Sequence, residues 1–173
     1  MLNQEYTLGA KIITIEEFQK IRGGLGKVVM TSGGFDPVHP GHISCISESK
    51  KYGGVLVVVV NGDTFLRNKK GRPFQNVETR SLIMSAIRGV DYVVPFEIDN
   101  DQTVNVALAT IKPDVFTKGG DRIDAKTIPE WATCEKLGIE VITGVGLDKY
   151  WSSSGFLADW EEHILNKRGK NNA

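Results

Sequence analysis

The chain has 173 residues with 21 basic and 21 acidic side chains, so its formal net charge is zero. That length suits one domain with a full core, and the charge balance speaks against a bulk nucleic-acid binder or a polybasic membrane anchor. No apolar run is long enough to span a bilayer and no basic-then-apolar leader opens the sequence, so the expectation is a cytoplasmic protein with no membrane or nucleic-acid partner.

Residues 1–26 read as an N-terminal helix and linker. Ile13, Ile15, Phe18 and Ile21 suit a short helix from Ile15, capped by Thr14, with Glu16 and Glu17 at its positive end. Gly23, Gly24 and Gly26 stop it. Gly-Gly-Leu-Gly-Lys precedes a strand and lacks the Walker spacing, so it reads as a linker rather than a phosphate loop.

Residues 27–166 read as the main domain. Lys27 to Met30 is an apolar strand, followed by the turn Thr31 to His42 and a helix from Ile43 to Lys50. Val55 to Val60 is an unbroken β-branched run, as in a parallel strand covered on both faces. A polar loop with Arg67, Lys69, Lys70 and Arg72 follows it, then a helix from Val77 to Gly89. Strands at 91–94, 113–117 and 139–142 alternate with helices at 103–111, capped by Asp101, and 127–137, with Pro129 in its first turn and Gly138 as its stop. Ser152-Ser153-Ser154 opens a last helix to about Asn166, and 167–173 reads as a disordered tail. Cys45 and Cys134 match no metal spacing and read as small buried residues in a reducing compartment. The alternation implies a Rossmann-like, doubly wound α/β sheet of about five parallel strands with helices on both faces.

The loops after the strands share one edge of such a sheet, where ligands bind. The loop from Gly33 to His42 carries the densest chemistry. Gly33 and Gly34 let a phosphate approach the backbone, and the helix that follows offers free N–H groups and a positive dipole end. His39 and His42 stand three residues apart, one helical turn, so that both imidazoles can hydrogen-bond one phosphoryl group. The cations Arg67, Lys69, Lys70 and Arg72 can clamp a triphosphate. Arg80 and Arg88 either reach the cleft or pair with a surface carboxylate such as Glu78. Lys118-Gly119-Gly120-Asp121 is either a tight turn or a place for a base or ribose to lie, with Asp121 accepting from a hydroxyl or amino group. Ser152, Ser153 and Ser154 cap a helix, which is compatible with phosphate binding at the same terminus.

Gly-Phe-Asp-Pro-Val-His-Pro-Gly-His resembles the His-x-Gly-His signature of the nucleotidyltransferase superfamily that includes the cytidylyltransferases and ADP-heptose synthase. Lys-Gly-Gly-Asp after Pro-Asp-Val, and the lead-in Ile12 to Glu17, are similar to the adenylyltransferase domain of ADP-heptose synthase. Val77 to Arg80, with Ile87 to Asp91, looks like the family's Glu-x-Arg and Arg-x-Val-Asp stretch. The three serines sit where the family has Ser-Thr-Thr. The arginine that cytidylyltransferases carry just before that turn aligns with Leu147, which weakens the choice of CTP.

The resemblance implies transfer of a nucleoside monophosphate from an NTP to a phosphorylated small molecule, with pyrophosphate released. ATP and a sugar 1-phosphate such as heptose 1-phosphate are favoured. His39, His42, Lys69, Lys70 and Arg72 are then the catalytic set. Gly33, Gly34, Phe35, Arg88, Gly119, Gly120, Asp121 and Ser152 to Ser154 contact the nucleotide. Magnesium arrives on the NTP without a protein metal site, and the protein is expected to be a homodimer. With no kinase domain in the sequence, the phosphorylated acceptor is expected to be made elsewhere. Glycerol-3-phosphate cytidylyltransferase and nicotinate mononucleotide adenylyltransferase are the alternative activities, and a nucleotide-binding regulatory module is the non-enzymatic one. A dinucleotide-binding redox protein fits poorly, because Gly33-Gly34 does not continue into Gly-x-Gly-x-x-Gly.

Overall fold

A computed structural model describes residues 9–97, 103–120 and 122–171. Six parallel strands form one sheet: β1 Lys11–Ile12, β2 Val28–Gly33, β3 Val55–Asn61, β4 Tyr92–Phe96, β5 Val115–Thr117 and β6 Glu140–Ile142. Their spatial order is β1-β4-β3-β2-β5-β6. The strand beyond the expected five is β1, only two residues long and exposed, too short to give a period-two signal.

Helices connect the strands: α1 Ile15–Ile21, α2 Pro40–Ser49, α3 Asp63–Lys70, α4 Val77–Ser85, α5 Asn105–Ile111, α6 Trp131–Leu137 and α7 Ser153–Asn171. Thr14 caps α1 through a full capping box with Glu17. The expected basic loop after β3 is in fact helix α3, closed by Gly71 in a positive-φ conformation (φ 85°). Its four polar and basic residues in a row hide the helical period. The α5 N-cap is Val104, without a side-chain bond; the proposed cap Asp101 lies outside the described residues. Helix α6 starts at Trp131, so Pro129 stands in the turn before it. Helix α7 continues to Asn171, over most of the segment read as tail.

Two apolar layers flank the sheet. On one face, Phe18 of α1 and Leu108 of α5 pack with Met30, Val57 and Phe116. On the other, Ile46 of α2 and Met84 of α4 pack with Val29, Val58 and Val60. The alternation within β3 shows why its sequence is continuously apolar: Val57 and Val59 serve one layer, Val58 and Val60 the other, all fully buried. Each such valine contributes about 1.5–3 kcal/mol by leaving water. Aspartates at strand N-terminal ends fix the register. Asp114 accepts from the Val28 amide at 2.7 Å and from Arg22, and Asp91 accepts from the Leu56 amide at 2.7 Å.

From β2 the chain winds outward through β3 and β4, then returns to place β5 on the other side of β2. The connections after β2 and β5 therefore leave in opposite directions. This switch point opens a crevice at the C-terminal ends of the two strands.

Candidate active site

A cleft of about 460 Å³ occupies that crevice, lined by residues from the β2–α2 loop, α3, the segments after β5 and before α6, and the approach to α7. The β2–α2 loop is held from below by Asp36, whose carboxylate is 2% exposed and accepts from the Phe74 and Gln75 amides at 2.7 Å each. Phe35 takes a left-handed backbone conformation (φ 51°), uncommon outside glycine. This turns its ring inward, where a Cβ on Gly33 would come within 3.0 Å of it. Gly33 thus serves ring packing as well as ligand approach.

His39 is the N-cap of α2. Its Nδ1 accepts from the His42 amide at 3.3 Å. In the neutral ring that bond places the proton on Nε2. The His42 ring stacks on His39 with centroids 3.6 Å apart and meets the Phe35 ring edge-on at 5.2 Å. Burial, the neighbouring His39 and the Lys69 ammonium push the His42 imidazole down to about 4. Burial also lowers His39. His42 is therefore neutral at pH 7, and the pair offers N–H donors rather than fixed charge. Its Nδ1 is buried without a hydrogen-bond partner among the described residues.

Helix α7 brings a second N-terminus to the same place. Ser153 Oγ donates to the Pro37 carbonyl at 2.8 Å, the Gly155 amide donates to Ser152 Oγ at 3.2 Å, and the Phe156 ring sits 6.2 Å from His39. Two helix starts thus converge, each with a positive dipole end, an arrangement suited to phosphate. Trp151 and Tyr150 flank this wall of the cleft, with Tyr150 85% exposed.

Of the expected residues, Gly33, Gly34, Phe35, His39, His42, Lys69, Gly119, Gly120 and Ser152 to Ser154 line the cleft. Three cations and glycyl positions need correction or comment. Lys70 points away from it, donating to the Asp36 carbonyl and pairing with its carboxylate at 2.7 Å. Arg72 is exposed beyond α3, its Nε near the Pro73 carbonyl. Arg88 is exposed just before β4, at the N-terminal edge of the sheet and so opposite the cleft. Gly119 is needed for packing, because a Cβ there would come within 2.6 Å of the Val145 carbonyl and 2.9 Å of Cys45 Sγ. Asp121 lies outside the described residues.

Arg80 neither reaches the cleft nor pairs with Glu78. It is fully buried and donates to the carbonyls of Gln75, Gly34 and Asn61 and to Asp63 at 2.6–2.9 Å, tying α4 to the ends of β2 and β3. Lys118, of the Lys-Gly-Gly-Asp turn, is partly buried and Glu130 is buried; both line the cleft, and their charged atoms lie 3.7 Å apart. Burial lowers the Lys118 ammonium, opposed by the Glu130 carboxylate.

Residues 30–164 match the model of the cytidylyltransferase-like family. The bifunctional protein HldE of Cronobacter sakazakii is 44% identical over 97 residues, and that of Haemophilus influenzae is 42% identical over the same length. In both cases the match covers 55% of this chain and 20% of the relative, so the chain corresponds to about a fifth of those proteins. The lipopolysaccharide core biosynthesis protein of Thermoplasma volcanium superposes with a TM-score of 0.61 at 31% identity, over 71% of this chain and 99% of that one. A pantoate-beta-alanine ligase from Francisella tularensis, complexed with beta-gamma ATP and beta-alanine, shares the fold with a TM-score of 0.61 at 16% identity, over 85% of this chain and 70% of that one. With the His-Pro-Gly-His turn at the switch point and a family match spanning most of its length, the chain belongs to the cytidylyltransferase-like family of nucleotidyltransferases.

Proposed function

We propose that this protein transfers a nucleoside monophosphate from an NTP, preferably ATP, to a sugar 1-phosphate such as heptose 1-phosphate, releasing pyrophosphate. The observation that carries the reading is the stacked, neutral His39–His42 pair at the meeting point of two helix N-termini. The sugar acceptor is supported by the name of one structural neighbour, a lipopolysaccharide core biosynthesis protein.

In this reading a phosphate oxygen of the acceptor attacks the α-phosphorus and the bond to pyrophosphate breaks. A phosphate monoester has its second pKa near about 6, so the nucleophile is ionised at neutral pH and needs no general base. Catalysis then rests on in-line placement and on donors aimed at developing charge. His39 and His42 donate to the α-phosphate. The N–H groups at the start of α7 hold the remaining phosphates, and Lys69 balances the charge of the departing pyrophosphate. Lys70 acts indirectly in this reading, by fixing Asp36 and hence the loop. Magnesium comes in on the triphosphate. Among the described residues no three His, Cys, Asp or Glu side chains gather to hold a metal ion. Among the described residues, too, no helix is long and apolar enough to cross a membrane.

The test is kcat/KM for ATP, CTP, GTP and UTP, each with heptose 1-phosphate and with glycerol 3-phosphate. A site that reads a base with buried polar groups discriminates sharply, so one NTP should dominate. ATP with the sugar is the expected combination. Strong activity with CTP and glycerol 3-phosphate, and none with ATP and the sugar, would move the substrates and leave the reaction class intact.

A further inference from the structure

The reaction described above leaves one buried polar cluster unused. Lys118 leaves the C-terminal end of β5 with its Nζ over the Phe116 ring at 4.6 Å, and donates to Ser32 Oγ at 3.1 Å. Glu130 Oε1 accepts from the Val104 amide at 3.3 Å, while Oε2 stands 3.7 Å from Lys118 Nζ, beyond hydrogen-bond reach. Glu130 is 4% exposed, and among the described residues Oε2 has no hydrogen-bond partner although the residue lines the cleft. A buried ion pair that leaves an oxygen unsatisfied does not recover its desolvation cost. A ligand group between the two charges would complete it.

The position of the cluster separates it from the phosphate site. Phe116 and Val104 belong to the layer under α5 and α1, whereas Phe35 and Ile46, beside the histidines, belong to the opposite layer. The cluster and the histidine pair therefore approach the switch-point cleft from opposite faces of the sheet. If the histidines and the α7 terminus hold the triphosphate, the cluster meets the other reactant.

We propose that Ser32, Lys118 and Glu130 form a subsite for the neutral hydroxyls of the acceptor, an inference that rests on the nucleotidyl-transfer reading. A hydroxyl donates one proton and accepts others. It can donate to Glu130 Oε2 and accept from Lys118 Nζ at once, which is the complement of the pair. An acceptor phosphate does not fit there, because it would be held against the Glu130 carboxylate. A nucleobase fits better on the other wall, where Trp151 and Tyr150 offer ring faces beside the serines. Phe116, next to the cluster, is fully buried beneath Lys118.

The experiment compares wild type with Glu130→Gln, Lys118→Met and Ser32→Ala. It measures KM for heptose 1-phosphate and for glycerol 3-phosphate with ATP or CTP, together with direct binding of a non-hydrolysable ATP or CTP analogue. Losing a hydrogen bond to a charged group should raise the acceptor KM about tenfold or more, with analogue binding changed less than about twofold, within the usual scatter for an unaffected site. Monodeoxy analogues of the sugar phosphate provide the same test on the unaltered protein. One of them should lose as much as Glu130→Gln does, and should lose nothing further in that variant. If the buried substitutions fail to fold, Ser32→Ala and the deoxy series still decide. Weakened analogue binding with an unchanged acceptor KM would overturn the proposal in favour of a base-reading role, and an unchanged value of both would make the cluster purely structural. A folded wild type that turns over neither acceptor would instead overturn the nucleotidyl-transfer reading, and this subsite with it.

Discussion

His42 shows how one side chain combines structural and chemical demands. Its ring is packed between His39 and Phe35, so it stays neutral well below the usual histidine range. The folded-state value of about 4 lies below the unfolded value of 6.5. The unfolded chain therefore binds the proton first as the pH falls. Stability from this group is complete above the unfolded value and is lost as the pH drops from 6.5 toward 4. The total is roughly 3 kcal/mol. Urea unfolding of wild type and of His42→Asn at pH 7.5 and pH 4.5 checks this, and the wild type should lose more stability than the variant between the two. Equal losses would mean that the ring is not desolvated. The histidines were visible in the sequence because their spacing and their place after a strand are local facts. Lys118 was legible only as part of the Lys-Gly-Gly-Asp turn and Glu130 was not, since glutamate seldom occurs buried and nothing local pairs the two. Lys69 and Lys70 illustrate the opposite error: adjacent cations point in different directions once the segment is helical, Lys69 into the cleft and Lys70 onto Asp36, while Arg72 falls beyond the helix end.

At the scale of elements, the starts of α2 and α7 matter most. Their convergence depends on Ser153 binding the Pro37 carbonyl, a contact between residues 116 positions apart that no sequence window contains. The long apolar strand β3 and the glycine-stopped helix α6 were legible because burial on both faces and a left-handed C-cap each leave a local signature. Helix α3 was not, because only Leu66 of it is buried. Arg80 joins these elements from beneath the cleft without entering it. Replacing it by lysine would leave buried carbonyls without donors, and should cost about 3 kcal/mol or more. Chemical denaturation measures that loss. Near-normal KM values for the folded fraction are expected at low temperature, whereas a lost NTP affinity with intact stability would place Arg80 in the binding site instead.

For the whole molecule, the strand order explains why loops distant in sequence build one site. Because β2 and β5 are neighbours whose connections diverge, the histidine turn, the Lys118 segment and the approach to α7 meet above the same two strands. The alternating elements made the doubly wound sheet legible, while the short edge strand β1 left no pattern to read. In the proposed reaction an incoming phosphate displaces pyrophosphate directly at this cleft. Pyrophosphate release, followed with and without acceptor in wild type and His42→Ala, tests it most directly. Release is expected only when a phosphorylated acceptor is present, with no nucleotidyl adduct on Ser152 to Ser154 by mass spectrometry and a kcat about a hundredfold lower in the variant, as for loss of a donor at developing charge. Stoichiometric pyrophosphate without acceptor, or a kcat unchanged in His42→Ala, would contradict it.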